Sequence, residues 1–320
     1  MAHALGRYWH VMRPAVSQNI VAVAEVNVSP RRKELLYTLA SGENIIVTER
    51  TQIKERAAEA DGVLRLSEDG KASWIWHRAA EAFSAEIQAK GWHQVAKDIN
   101  SGWEGQFTYR SELRDQQRNI TQRGLRPPQI GGLHAIGMHW SLYQRPATIV
   151  MPTGTGKTET MLATLVAFGG GCLLVVVPSQ VLRDQTARKF ATFGLLRMLG
   201  NLTDGARNPI VGVITKRPTS EADLDLFEKC NVVISTMAAI GEGDAAAWGK
   251  QIAERIETLI VDEAHHVGAD GWSAFRENFT ERRVLQFTAT PFRRDGKLVD
   301  GKLSIIIRFT LPSETDISRK

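Results

Sequence analysis

The chain of 320 residues reads as an α/β protein, a doubly wound parallel sheet preceded by a smaller N-terminal α+β unit. Three observations predict this. From Thr148 onward short apolar runs alternate strictly with amphipathic stretches. A glycine-rich loop, Pro152-Thr-Gly-Thr-Gly-Lys-Thr158, joins the first run to the first helical stretch. A later run ends in two adjacent carboxylates, Asp262 and Glu263. Ligands of such sheets bind outside the strands' carboxyl ends, where the loop and the acidic pair both fall.

Taken in order, residues 1–120 give strands at 18–28, 44–48, 62–66 and 73–77 and helices at 52–61 and 78–90. Trp74 and Trp76 alternate with Ile75, so they share a face and read as sheet packing. Residues 111–124, rich in Arg and Gln with almost no apolar face, read as a solvated connecting helix. The second region, 121–303, has strand runs at 148–151, 172–177, 209–215, 231–236, 258–261 and 284–288. Helices are expected between them at 157–168, 180–193, 220–229, 246–256 and 271–279. Residues 304–320 are a short polar tail.

Strand, glycine loop and helix in succession make a phosphate site. Gly154 and Gly156 lack a Cβ, so the backbone can curl until successive N–H groups, including those of Thr153 and Thr155, face a phosphate at a helix N-terminus. Lys157 then reaches the β- and γ-phosphates, and the Thr158 hydroxyl completes a Mg²⁺ shell. Asp262, delivered by its buried strand, holds the same Mg²⁺, and Glu263 orients and deprotonates the attacking water. The expected cofactors are a nucleoside triphosphate and Mg²⁺.

Composition narrows the class. At 43% hydrophobic the chain can bury one large core and one small one. A net charge of +5 and a pI near 9.3 suit a polyanionic partner without demanding one. Only Cys172 and Cys230 are present, beside apolar runs, which excludes a disulfide framework and zinc-ligand spacing. The N-terminus lacks a signal-peptide core, and no apolar run is long enough to span a bilayer. A soluble, cytoplasmic protein is expected.

Residues 124–300 resemble the first motor domain of superfamily-two helicases, in the DEAH-type branch with restriction-enzyme motor subunits and excision-repair helicases. The resemblance rests on motifs in the family's order: Leu125 to Gln129, Pro152 to Thr158, Val177 to Leu182, Ser235-Thr236, Asp262-Glu-Ala-His265 and Phe287 to Pro291. Met151 departs from the small residue that commonly opens the phosphate loop. The resemblance implies a RecA-like sheet of the P-loop NTPase kind. It implies that Gln129 reads adenine, with Arg126 at the base or ribose, because a glutamine amide matches the N6 and N7 edge. It also implies a phosphate-backbone grip at Pro178, Ser179, Gln180 and Thr236. Thr288 and Thr290 become coupling residues that bond His265 and the acidic pair and relay the γ-phosphate state to the nucleic-acid surface. Arg293, Arg294, Lys297 and Lys302 form a basic cluster after them.

The family carries a second motor domain that supplies an arginine finger. Residues 292–320 leave no room for it, so the chain is expected to be truncated, split from a partner polypeptide, or a binder without turnover. Such a finger is worth about 10³ to 10⁵ in rate, so this chain alone should bind ATP and hydrolyse it slowly. The leading reading is therefore the ATP-binding motor domain of a helicase or translocase, with nucleic acid, DNA favoured, as partner and no membrane. The alternative is a nucleotide-regulated nucleic-acid-binding subunit with little turnover, against which Glu263 counts. A small-molecule kinase ranks last, since it gives the His265 and Thr288 motifs no role.

Overall fold

A computed structural model describes residues 2–5, 8–11, 20–52, 59–70, 72–241, 247–263 and 274–290. Contacts divide the chain into a unit spanning 13–95 and a larger one made of 2–12 and 96–320. First in the chain, β1 (Ala2–Leu5) and β2 (Tyr8–Val11) form an antiparallel hairpin that belongs to the larger unit.

The smaller unit is a five-stranded sheet of β3 (Ile20–Ser29), β4 (Arg32–Leu39), β5 (Asn44–Thr48), β6 (Gly62–Leu66) and β7 (Ala72–His77), in that spatial order. Only β5 and β6 run parallel. Val28, Leu36, Ile46 and Val63 form its core. A register shift in β7 overturns the shared face of the tryptophans: Trp76 pairs with Val63 and Trp74 with Leu64, and those two partners are consecutive, so they point opposite ways. Helix α1 (Arg78–Lys90) begins at His77, whose Nδ1 accepts the Ala79 N–H at 3.1 Å. The His77 ring is buried edge-on against Trp74 and lies over Gly62, where a Cβ would come within 2.7 Å of it. The helix expected at 52–61 lies mostly outside the described residues.

The larger unit opens with the end of α2 (Trp92–Ser101) and a two-stranded hairpin, β8 (Leu113–Arg114) with β9 (Ile120–Gln122). This hairpin replaces the expected connecting helix. Asp115 accepts the Asn119 backbone N–H at 2.8 Å and Arg118 turns the chain at φ 66°, a left-handed conformation that no helix accommodates. Helix α3 (Pro127–Leu142), unforeseen in the sequence, carries its two prolines in its first turn, where no N–H is missed.

There follow β10 (Ala147–Val150), α4 (Lys157–Phe168), β11 (Leu173–Val177), α5 (Gln180–Phe190), β12 (Val211–Ile214), α6 (Asp225–Lys229), β13 (Val232–Thr236), α7 (Met237–Ile240), α8 (Gly249–Arg255), β14 (Thr258–Val261) and β15 (Arg283–Thr288). The strand order is β12-β13-β11-β14-β15-β10, all parallel, with β2 and then β1 added antiparallel beside β12. The parallel strands are almost wholly buried, which is why they read as short runs dominated by Val, Ile and Leu. This is the doubly wound, RecA-like α/β fold.

Residues 96–120, grouped with the N-terminal unit in the sequence reading, are bonded into this larger body. The buried Asn231 amide donates to the Ala96 carbonyl at 2.7 Å and to Asn100 at 2.8 Å, while its own oxygen accepts the Ile210 N–H. The Trp103 indole N–H donates to the Arg207 carbonyl at 2.8 Å, and its ring meets Phe193 edge-on. Asn201 donates to the carbonyls of Thr108 and Arg110.

Candidate active site

The parallel register brings the predicted motifs to one edge. Val150 lies beside Thr288, Val261 beside Gln286, Val176 beside Val261, and Val177 beside Thr236. The glycine loop after β10, the carboxylates after β14, the start of α5 after β11 and Thr236 at the end of β13 therefore share the carboxyl edge of the sheet.

Met151 continues β10 by donating its N–H to the Thr288 carbonyl at 2.9 Å and is fully buried. Its sulfur lies 3.8 Å from where a Cβ would stand on Gly132 of α3, ordinary packing distance, so α3 lies against the first side chain of the loop. Gly154 and Gly156 have φ of 82° and 92°, conformations that L side chains resist. Gly156 caps α4, and a Cβ there would stand 2.1 Å from the Gln129 amide nitrogen and 2.9 Å from an Arg126 guanidinium nitrogen. Thr155 closes the loop through its hydroxyl, which donates to the Pro152 carbonyl at 2.6 Å.

Gln129, 2% exposed, uses both ends of its amide locally. Its oxygen accepts the Arg126 N–H at 2.7 Å, and its nitrogen donates to the Gly156 carbonyl at 3.2 Å. This tether between α3 and the phosphate loop escaped the sequence reading, which assigned the amide to adenine alone. The only sequence signal for it is Gly156 itself, where a side chain would have no space.

The Lys157 ammonium forms an ion pair with Glu263. Asp262 continues the β14 ladder by donating its N–H to the Val176 carbonyl, and its carboxylate accepts the Glu263 N–H at 2.9 Å. Burial pushes the Asp262 carboxyl up to about 6, against the opposing pull of Lys157 and with added repulsion from Glu263. Glu263 itself has φ of 51°, a left-handed conformation costly for a side chain with a Cβ. A buried carboxylate destabilised by its surroundings, next to a glycine cradle at a helix N-terminus, fits a divalent cation carried by a triphosphate. Thr158, in the first turn of α4, and Asp262 are the side chains that would hold it.

On the neighbouring strands Pro178, Ser179 and Gln180 are exposed, and the Ser179 hydroxyl caps α5 by accepting the Leu182 N–H at 3.3 Å. Thr236 starts α7 and is buried at the strand end. Arg183, also buried, fastens α5 to the sheet by donating to the Ile214 carbonyl at 3.4 Å. The Thr288 hydroxyl donates to the Thr290 carbonyl at 2.7 Å. His265, Pro291 and the basic residues from Arg293 to Lys302 lie outside the described residues.

This fold and site define the class: the ATP-binding motor domain of a superfamily-two helicase or translocase. Residues 122–293, more than half of the chain, match the family of the Type III restriction enzyme res subunit, and the chain belongs to that family. It is 26% identical over 156 residues to the DNA 3'-5' translocase XPB2 of Sulfurisphaera tokodaii, a match that covers 49% of this chain and 29% of that protein. The chain thus spans less than a third of the length of this curated relative. Among solved structures it is similar to the UvsW helicase from Bacteriophage T4, at 16% identity over 66% of each chain with a TM-score of 0.41. It is also similar to a nuclease-deletion mutant of the Type ISP restriction-modification enzyme LlaGI, at 21% identity over 62% of this chain and 20% of that one, with a TM-score of 0.39. No helix among the described residues is long and apolar enough to cross a membrane.

Proposed function

We propose that the chain is an ATP-driven motor module that acts on DNA and hydrolyses ATP through Lys157, Asp262, Glu263 and His265. Lys157 neutralises the β- and γ-phosphates, Thr158 and Asp262 hold Mg²⁺, and Glu263 takes the proton of the attacking water. The loop from Thr153 to Gly156 cradles phosphate with its N–H groups. Arg126 and Gln129 face the nucleotide's base end. Pro178, Ser179, Gln180 and Thr236 grip the nucleic-acid backbone, and Thr288 and Thr290 couple the two faces. A second motor domain, on this protein's own longer chain or on another polypeptide, completes the ATP site.

The observation that carries the reading is the meeting of Lys157 with Glu263, beside the buried Asp262, on the same sheet edge as Ser179 and Thr236. A second reading, a nucleotide-regulated DNA-binding subunit with little turnover, is favoured if Lys157 keeps its hold on Glu263 once ATP is bound, leaving the carboxylate turned away from the attacking water. One experiment separates them: ATP hydrolysis by the purified protein with and without duplex DNA, using Glu263→Gln as control. DNA-stimulated, Glu263-dependent turnover supports the motor. Mg²⁺-ATP binding without turnover supports the regulated subunit, and absence of ATP binding rejects both.

A further inference from the structure

The β8–β9 hairpin stands apart from every motif assigned above. Across 110–124 four arginines stand against two carboxylates, a net +2 of the whole chain's +5. Both carboxylates are spent locally. Glu112 pairs with Arg114 at 2.7 Å, and Asp115 bonds the Asn119 backbone and side chain, which holds its carboxyl below the usual range. The Arg118 and Arg123 guanidiniums are exposed and have no ion-pair partner among the described residues.

The hairpin is also stiff at its base. The Leu125 N–H donates to the Arg110 carbonyl at 2.9 Å, the Glu112 N–H to the Leu125 carbonyl at 2.8 Å, and the Gln122 side chain to the Ser111 carbonyl at 2.8 Å. Gly124 permits this closeness, because a Cβ there would lie 2.4 Å from the Ser111 backbone. Leu125 leads directly into Arg126 and the Gln129 tether, so a load on the hairpin bears on the nucleotide end of α3.

From this charge, exposure and rigidity we infer that the β8–β9 hairpin is a docking element for the sugar–phosphate backbone of duplex DNA, separate from the strand-end grip at Ser179 and Thr236. Guanidiniums match phosphate oxygens, and a two-stranded ribbon suits the groove of a duplex. Residues 110–126 contain no aromatic side chain, so they offer no stacking platform for the bases of a single strand.

The inference rests on the reading that the protein engages DNA, and the test keeps the two apart. A labelled duplex oligonucleotide is titrated with the full chain across a salt series, for wild type, Arg118→Gln/Arg123→Gln and Arg118→Lys/Arg123→Lys. ATP affinity serves as the check that each variant is folded. Loss of two phosphate contacts should lower the slope of log affinity against log salt by about 2 and weaken binding at least about tenfold near 0.1 M salt. The lysine variant should keep most of the slope. Tight binding by wild type with an unchanged slope in the glutamine variant overturns the hairpin's role and leaves the motor reading intact. Failure of the wild type to bind duplex overturns both. Preference for a single strand that the glutamine variant retains also overturns the hairpin's role.

Discussion

The Lys157 ammonium and the Glu263 carboxylate hold each other across the phosphate loop. A triphosphate must take Lys157 from its partner, so substrate binding and release of the water-activating group are one exchange. Glu263→Gln, which offers a neutral and weaker partner, should bind ATP at least as tightly as wild type while turnover falls by about 10² to 10⁴. Lys157→Ala should weaken ATP binding by about 10- to 100-fold. Calorimetric titration and a phosphate-release assay measure the two effects, and equal turnover in Glu263→Gln would reject the assignment of the base.

The backbone at Glu263 gives a cleaner measurement. Neither Glu263→Ala nor Glu263→Gly can pair with Lys157, so their difference isolates the cost of a Cβ at φ 51°. Glu263→Gly should be the more stable by about 1 kcal/mol, partly offset by glycine's greater freedom when unfolded. Equal melting temperatures would place that residue in a relaxed conformation in solution.

Asp262 sets a pH dependence. Unfolded, its carboxyl loses its proton near 3.8, whereas in the fold it keeps it to about 6. Between those values the folded state holds more protons, so stability falls as pH rises through the window and the full loss is present above about pH 6. In chelator, Asp262→Asn should therefore stabilise the fold at pH 7 to 8 by about 3 kcal/mol, read as a higher melting temperature, and change little at pH 4. The same substitution should abolish Mg²⁺-dependent turnover. A melting gain at pH 4 equal to that at pH 7 would contradict the account.

Because Gln129 donates to the Gly156 carbonyl, its loss should loosen the phosphate loop as well as relax adenine preference. Gln129→Ala is expected to weaken binding of inorganic triphosphate, which has no base, by a factor of about 3 to 10, in line with one lost hydrogen bond. If only the ratio of ATP to GTP affinity changes, the tether carries no energy.

In the smaller unit His77 caps α1 through an unprotonated Nδ1. Burial holds its pKa below 6.5, with Arg78 in the same direction and Glu43 and Asp61 opposing. A depressed base contributes stability that is present above pH 6.5 and lost as pH falls through its lower folded value. His77→Asn, a cap without that titration, should flatten the acid limb of the unit's stability, followed by Trp fluorescence. An unchanged acid limb would show that His77 takes up its proton equally readily in the folded and unfolded states.

The parallel strands were legible because they are buried on both faces, so that apolar residues predominate in each. Chemistry-bearing loops at their ends then placed Lys157, Asp262 and Ser179 without coordinates. β4 was missed because Arg32, Lys33 and Glu34 hide its alternation, although Arg32 and Glu34 satisfy each other across the pleat. Helix α3 was missed because prolines read as a break, when at a first turn they are an entry. The hairpin at 113–122 was misread because its twist depends on Asp115, Arg118 and Gly124, whose roles are conformational and leave no periodicity. The doubled duty of Gln129 could not be seen, since it depends on a contact between residues distant in the chain.

Asn231 and Trp103 bear on where this protein can be cut. A gene trimmed to the family match, starting near residue 122, would delete the carbonyl of Ala96 and the side chain of Asn100 that satisfy a fully buried amide. It would also remove an indole, 2% exposed, from beside Phe193. The shortened product would carry a wet hole behind β13 and precipitate on expression, whereas one begun just before residue 92 keeps that plug in place.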